Sequence, residues 1–119
     1  MRLDQWVYFY PGRKPNSKVN FKCKNTDELF IWCNHYKLDY YMYNLYKKKD
    51  GVYEFNSQKV WLSKEDILNL QKEIITNNFF DDDLELNENQ EQKEKDLKFC
   101  DLALEKIEKH YQLYYTNLW

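Results

Sequence analysis

Glycine and proline are nearly absent from this chain of 119 residues, with two of each. With only Gly12 and Gly51, no glycine-rich loop can be written, which excludes a backbone cradle for phosphate. Three cysteines, Cys23, Cys33 and Cys100, cannot complete a set of disulfides. The two histidines form no H-x-x-x-H pair, and C-x-x-C does not occur. Metal ligation needs convergent thiolates or imidazoles. Cys23, Cys33, His35, Cys100 and His110 do not have that spacing, so the sequence predicts neither a metal site nor a cofactor. Ser17, Ser57 and Ser63 read as turns and a cap, and no G-x-S-x-G surrounds them. No cysteine has the cationic setting that lowers a thiol pKa, so the chain reads as no enzyme. No apolar run approaches the roughly 18 residues of a membrane-spanning helix. Charge interrupts Met1–Gln5 before any apolar run, which reads as no signal peptide and predicts the cytoplasm.

Aromatic rings are abundant instead: 22 residues, 11 of them tyrosine. The stretch 30–46 holds eight rings when His35 is included. A core of this size uses only part of that surface, so some rings are expected at a contact surface. Lysine outnumbers arginine sixteen to two, and there are twelve asparagines. That usage fits an AT-rich coding sequence, which accounts for part of the tyrosine count.

Leu3–Tyr10 reads as a strand ended by Pro11-Gly12. Val19, Phe21 and Cys23 alternate with polar residues and predict a second strand. Thr26 as N-cap with Asp27 and Glu28 behind it predicts a helix from Asp27 to about Lys47. Its apolar stripe would be Leu29, Trp32, Cys33, Tyr36, Tyr40 and Tyr43, leaving Phe30, Tyr41 and Tyr46 off the stripe. Val52–Phe55 and Lys59–Leu62 suggest a hairpin. Ser63–Asp66 resembles a capping box before a helix that carries Ile67, Leu70, Ile74 and Ile75. Residues 79–96 form an acidic loop and helix start. A last helix carries Leu97, Cys100, Leu104, Ile107, Tyr111 and Tyr114 at steps of three and four. Tyr114–Trp119 suits a final strand equally well. The expected fold is one α+β domain: a small antiparallel sheet covered on one face by three helices.

Charge is unevenly placed. Residues 1–24 carry a net +5 and residues 81–105 a net −7. Two opposite patches suit a charged partner or self-association, or they face each other. The candidate partner-binding residues are Phe30, Tyr41, Tyr46, Lys47, Lys48, Lys49, Asp81, Asp82, Asp83, Glu85, Tyr114 and Tyr115. Arg13, Lys14, Lys18, Lys22 and Lys24 lie near Trp6, Tyr8, Tyr10 and Phe21, the ingredients of a single-stranded nucleic-acid surface.

Several segments, taken in order, resemble one family. They are Leu3-Asp4 before an aromatic strand, Trp32 followed by Asn34 and His35, and Leu62-Ser63-Lys64-Glu65-Asp66-Ile67-Leu68. Asp101–Ile107 and the Tyr114-Tyr115…Trp119 ending complete the set. The chain thereby resembles small phage- and prophage-encoded proteins of unknown activity, often labelled phosphoglycerate kinase. It departs from them where the acidic run replaces a segment containing glycine and phenylalanine. A chain this short without a glycine-rich loop forms no two-domain kinase. The resemblance implies a mobile-element setting in the cytoplasm of a host cell. It also implies an antagonist of host defence, anti-CRISPR-like, that binds a host protein or ribonucleoprotein complex. A self-associating phage accessory protein, and a single-stranded nucleic-acid-binding module, are the alternatives.

Overall fold

The computed structural model describes residues 2–119. It is an α+β fold with seven elements: β1 (Asp4–Pro11), β2 (Asp27–Cys33), α1 (Tyr36–Lys48), β3 (Val60–Leu62), α2 (Lys64–Ile75), α3 (Leu86–Glu108) and β4 (Tyr111–Leu118). The four strands form one antiparallel sheet in the order β2-β1-β4-β3. The three helices bury their apolar sides against one face of it. Leu38, Met42 and Tyr46 of α1, Ile67, Leu70 and Ile74 of α2, and Phe99, Cys100 and Ala103 of α3 meet Val7, Val60, Leu113 and Tyr115 of the sheet. The opposite face carries a smaller cluster of Tyr10, Tyr114 and Phe21, with Tyr8, Cys23 and Trp61 beside it.

The first expected helix is half strand. Asp27–Cys33 pairs with β1 from Asp4↔Cys33 to Phe9↔Asp27, with a bulge at Val7/Tyr8. Phe, Ile and Trp suit a pleated surface, and β1 supplies a partner that a local capping signal cannot reveal. Asn34 then turns the chain at φ 57° and ties it back to β1. Its N–H donates to Leu3 O, and its side chain accepts from Leu3 N–H, both at 2.8 Å. His35, not Thr26, is the N-cap of α1, its ring accepting from Leu38 N–H.

Val19–Cys23 is no strand. Val19 makes one isolated bridge to Val60, and the Trp61 N–H donates to Lys18 O at 2.9 Å. Residues 18–20 thereby cover the outer edge of β3, an edge that would otherwise be open to pairing. The middle hairpin also does not form. β3 pairs with β4, while Phe55 turns inward as a buried ring. The end of the chain is the strand β4, not a continued helix.

The Ser63 capping box is present. Ser63 Oγ accepts from Asp66 N–H at 3.0 Å, and Asp66 Oδ2 accepts from Ser63 N–H at 2.8 Å. Asp66 also receives the Lys49 ammonium. Among the described residues, seven non-glycine residues hold φ between 51° and 71°: Asn20, Asn25, Asn34, Asp50, Ser57, Asn77 and His110. Asparagine tolerates this left-handed region better than most residues. In a chain with two glycines, four asparagines take the turns that glycine usually makes.

Candidate interaction site

The shift of the helix start re-phases every ring in 30–46. With α1 beginning at Tyr36, the inward face is Leu38, Met42 and Tyr46. Tyr36 and Tyr40, expected in the core, are 55% and 67% exposed. Tyr43 is half-buried at the edge of the same outer stripe. Cys33, also expected inside, is exposed.

Several predicted contact residues lie inside instead. Tyr46 and Tyr115 have no exposed surface and Tyr114 is buried, so none presents its ring to a partner. The side-chain amide of Asn20 and the Tyr53 N–H both donate to the Tyr46 hydroxyl, at 3.0 and 3.2 Å. Phe30 is half-buried against Trp32 and Phe99, with ring centroids at 4.8 and 5.6 Å. Tyr41 is half-buried edge-on to Phe79, and burial pushes its phenol up to about 12. Lys49 is half-buried on Asp66 and Trp61 O. Asp81 is half-buried, and its carboxylate accepts from Asp83 N–H at 3.0 Å. Lys47, Lys48, Asp82, Asp83 and Glu85 are exposed, as a contact role requires.

The rings at the surface come together elsewhere. Tyr36, Tyr40 and Tyr43 of α1 face Tyr53 and Phe55 of the following loop and the terminal Trp119, around a groove of about 430 Å³. Tyr53 is 65% and Trp119 40% exposed. Trp119 is held in place: its indole N–H donates to Phe55 O at 2.7 Å and its backbone N–H to Asn56 Oδ1 at 3.1 Å. Tyr36, Tyr40 and Tyr43 at i, i+4 and i+7 give the groove its wall.

Asp39 lies in the floor. Its Oδ1 accepts from the Tyr115 hydroxyl at 2.7 Å and from Asn117 Nδ2 at 2.8 Å. Tyr115 in turn accepts from Gln5 Nε2 at 3.0 Å. Gln5 clamps the His35 backbone, donating to its carbonyl and accepting from its N–H. The His35 ring contacts Asp96 Oδ2 at 2.7 Å, and Trp32 Nε1 donates to Asp96 Oδ1 at 2.9 Å. Because His35 Nδ1 accepts from Leu38 N–H, its Nε2 carries the proton given to Asp96. A polar chain thus runs from the groove through the buried Gln5 to Asp96, and every buried side-chain polar atom among the described residues has a partner.

Desolvation raises the Asp39 carboxyl above its ordinary range, against the lowering effect of its bonds from Tyr115 and Asn117. Sequence reasoning missed Asp39, Tyr40, Tyr53 and Trp119 as neighbours. The available signal is Asn34-His35, where asparagine can turn the chain and histidine can cap a helix that starts at Tyr36.

The two charge patches do not neutralise each other. Among the described residues, no ion pair joins the basic residues of 13–24 to the acids of 81–94. Lys14 and Lys18 lie at the Lys49 end of α1, and Phe79, just before the acidic run, lies at its His35 end. His35 at its start meets Phe79 and Asp96, whereas Lys49 at its end meets Trp61 and Asp66. At that second end Lys14, Lys18, Lys48 and Lys49 line a cleft of about 770 Å³ with Trp61. Lys14 Nζ sits 4.9 Å and Lys49 Nζ 5.1 Å from the Trp61 ring centre.

Among the described residues, no group of three or more His, Cys, Asp or Glu could hold a metal ion. No helix among them is long and apolar enough to cross a membrane. Comparison with known families, curated proteins and solved structures finds no match to this chain.

Proposed function

We propose that this chain is a non-enzymatic binding protein of phage origin. In this reading it antagonises a host defence machine, such as a CRISPR effector, by protein–protein contact in the host cytoplasm. The observation that carries the contact reading is the tyrosine groove. Four tyrosines and a tryptophan stand at one surface, with Trp119 held by three hydrogen bonds. Large rings that cost little conformational entropy are the residues that dominate interface centres. The exposed Asp82, Asp83 and Glu85 support it further, since they would steer approach to a basic complex. The defence setting rests on the family resemblance alone.

The test uses the purified defence complexes of the matching host. Added protein is expected to bind one of them and suppress its interference activity, and the double substitution Tyr40→Ala/Tyr53→Ala is expected to abolish both. Unimpaired interference by every complex at micromolar protein would sink the defence reading. Capture that survives the double substitution would remove the groove from it.

A second reading draws on the Trp61 cleft. Four lysines around an indole suit a single strand of nucleic acid, with an affinity that falls steeply with salt. Asp50, Glu65 and Asp66 line the same cleft and offset most of that charge, which places this reading behind the first.

A further inference from the structure

The groove is not simply apolar. Asp39 and Glu54 are among its lining residues, two carboxylates set between aromatic rings. Asp39 accepts both of its side-chain hydrogen bonds at one oxygen, Oδ1, and among the described residues no hydrogen bond reaches Oδ2. Among the described residues, no lysine, arginine or histidine pairs with Asp39 or with Glu54. A half-buried carboxylate without a cation is costly, and burial accordingly holds the Asp39 proton more tightly than usual. The faces of the surrounding rings are themselves regions of negative potential. One cation already uses this property at the rim, where Lys47 Nζ sits 5.3 Å from the centre of the Tyr43 ring.

We infer that the groove is a receptor for an arginine side chain presented by the protein partner. This rests on the protein-contact reading above and names the chemistry of the contact. The choice among cations follows from shape. A guanidinium is planar, lies flat on a phenol ring and sheds water more easily than an ammonium. Stacked on Tyr40 or Tyr53, it can still donate in its own plane to Asp39 Oδ2, which stands open in the floor. The bonds from Tyr115 and Asn117 hold that carboxylate in one orientation before any ligand arrives. A pre-set acceptor spares the ordering cost that a surface ion pair would pay.

The test is an NMR titration of the labelled full chain with a blocked peptide holding one arginine between glycines. The matching lysine and trimethyl-lysine peptides are run beside it. The arginine peptide is expected to shift the amides of Asp39, Tyr40, Tyr53 and Trp119 saturably and to bind tightest of the three. Asp39→Asn, which keeps the internal acceptor, is expected to weaken it by about tenfold. Tyr40→Leu, at an exposed ring that the fold does not need, is expected to weaken it by about two- to fivefold. An absent or unsaturable shift, tighter binding of either other peptide, or unchanged affinity in Asp39→Asn would each overturn the inference. Partner capture by the same variants separates the two claims. Loss of capture in Tyr40→Ala/Tyr53→Ala while the arginine peptide fails to bind leaves the contact function standing and removes the arginine. The converse pattern removes the function.

Discussion

The Tyr115 hydroxyl donates to Asp39 Oδ1 at 2.7 Å, joining a fully buried strand residue to a carboxylate in the floor of the tyrosine groove. Gln5 Nε2 donates to the same hydroxyl, so Tyr115 has both a donor and an acceptor and its ring cannot shift without breaking one bond. The surface groove is therefore anchored in the centre of the sheet, because β4 pairs with β1 on one side and β3 on the other.

Asp39 gives an inverted pH dependence. Its carboxyl is raised in the folded state, chiefly by desolvation, so the fold binds that proton more tightly than the unfolded chain does. The resulting stabilisation is full below about pH 4, where an ordinary aspartate is protonated, and is lost as pH rises through the raised value. Asp39→Asn keeps the acceptor for Tyr115 and Asn117 and removes the charge. It is expected to be more stable than the parent at neutral pH, with the difference closing under acid conditions. Urea melts at a series of pH values measure this, and a variant equally destabilised throughout would contradict it.

Asp96→Asn tests the other end of the polar chain. Asp96 accepts from Trp32 Nε1 and His35 Nε2 inside the protein. An asparagine can accept only one of these bonds and turns a donor toward the other. The expected loss is about 2 kcal/mol, the cost of one buried unsatisfied donor. Denaturant midpoints check the size, and near-ultraviolet circular dichroism of the Trp32 indole checks the place.

Gly51→Ala is expected to destabilise by about 1–3 kcal/mol through overpacking. A Cβ at Gly51 would collide with the ring of Tyr46, which is wholly buried and whose carbonyl accepts from Gly51 N–H. Gly12 meets nothing within 4 Å but has φ 133°, so Gly12→Ala tests backbone strain rather than space. Thermal melts of the two variants separate these causes. Unchanged stability in Gly51→Ala would show that Tyr46 moves aside.

Phenol titration should be split. Burial pushes Tyr10, Tyr41 and Tyr114 up to about 12 and Tyr115 well above the ordinary value, whereas free phenols ionise near pH 10. These folded values are raised, so the stabilisation is full below about pH 10 and is lost as pH rises toward the folded values. Phenolate absorbance of Tyr10, Tyr41, Tyr114 and Tyr115 is expected to lag behind that of a free phenol. A later, cooperative step should coincide with unfolding. A single smooth titration of all tyrosines near pH 10 would contradict the buried positions.

Strand β1, the capping box at Ser63, α2 and the existence of a last helix are legible in local spacing, but Tyr111 and Tyr114 of its expected stripe lie in β4 and its buried apolar face is Phe99, Cys100 and Ala103. The segment 27–33 is not legible in this way. Thr26-Asp27-Glu28 is a sound helix start by local rules, and only β1 as a neighbour makes Asp27–Cys33 a strand. That one error moved the helix origin by nine residues and exchanged the inner and outer faces of the tyrosine run. The sequence could therefore show that tyrosines were in surplus without showing which ones. Tyr114 and Tyr115 illustrate the same limit, since a strand with both faces covered hides adjacent residues alike.

The sheet order also sets when this protein can fold. β4 spans residues 111–118 and lies between β1 and β3, so the sheet has no continuous centre until that stretch has been synthesised. Its pairing with β1 closes a loop of about a hundred residues, and such distant pairing is slow to form. Until then β1 has only β2 to pair with, and β3 has no strand beside it. Truncation before residue 118 should leave an aggregation-prone chain, not a smaller stable domain.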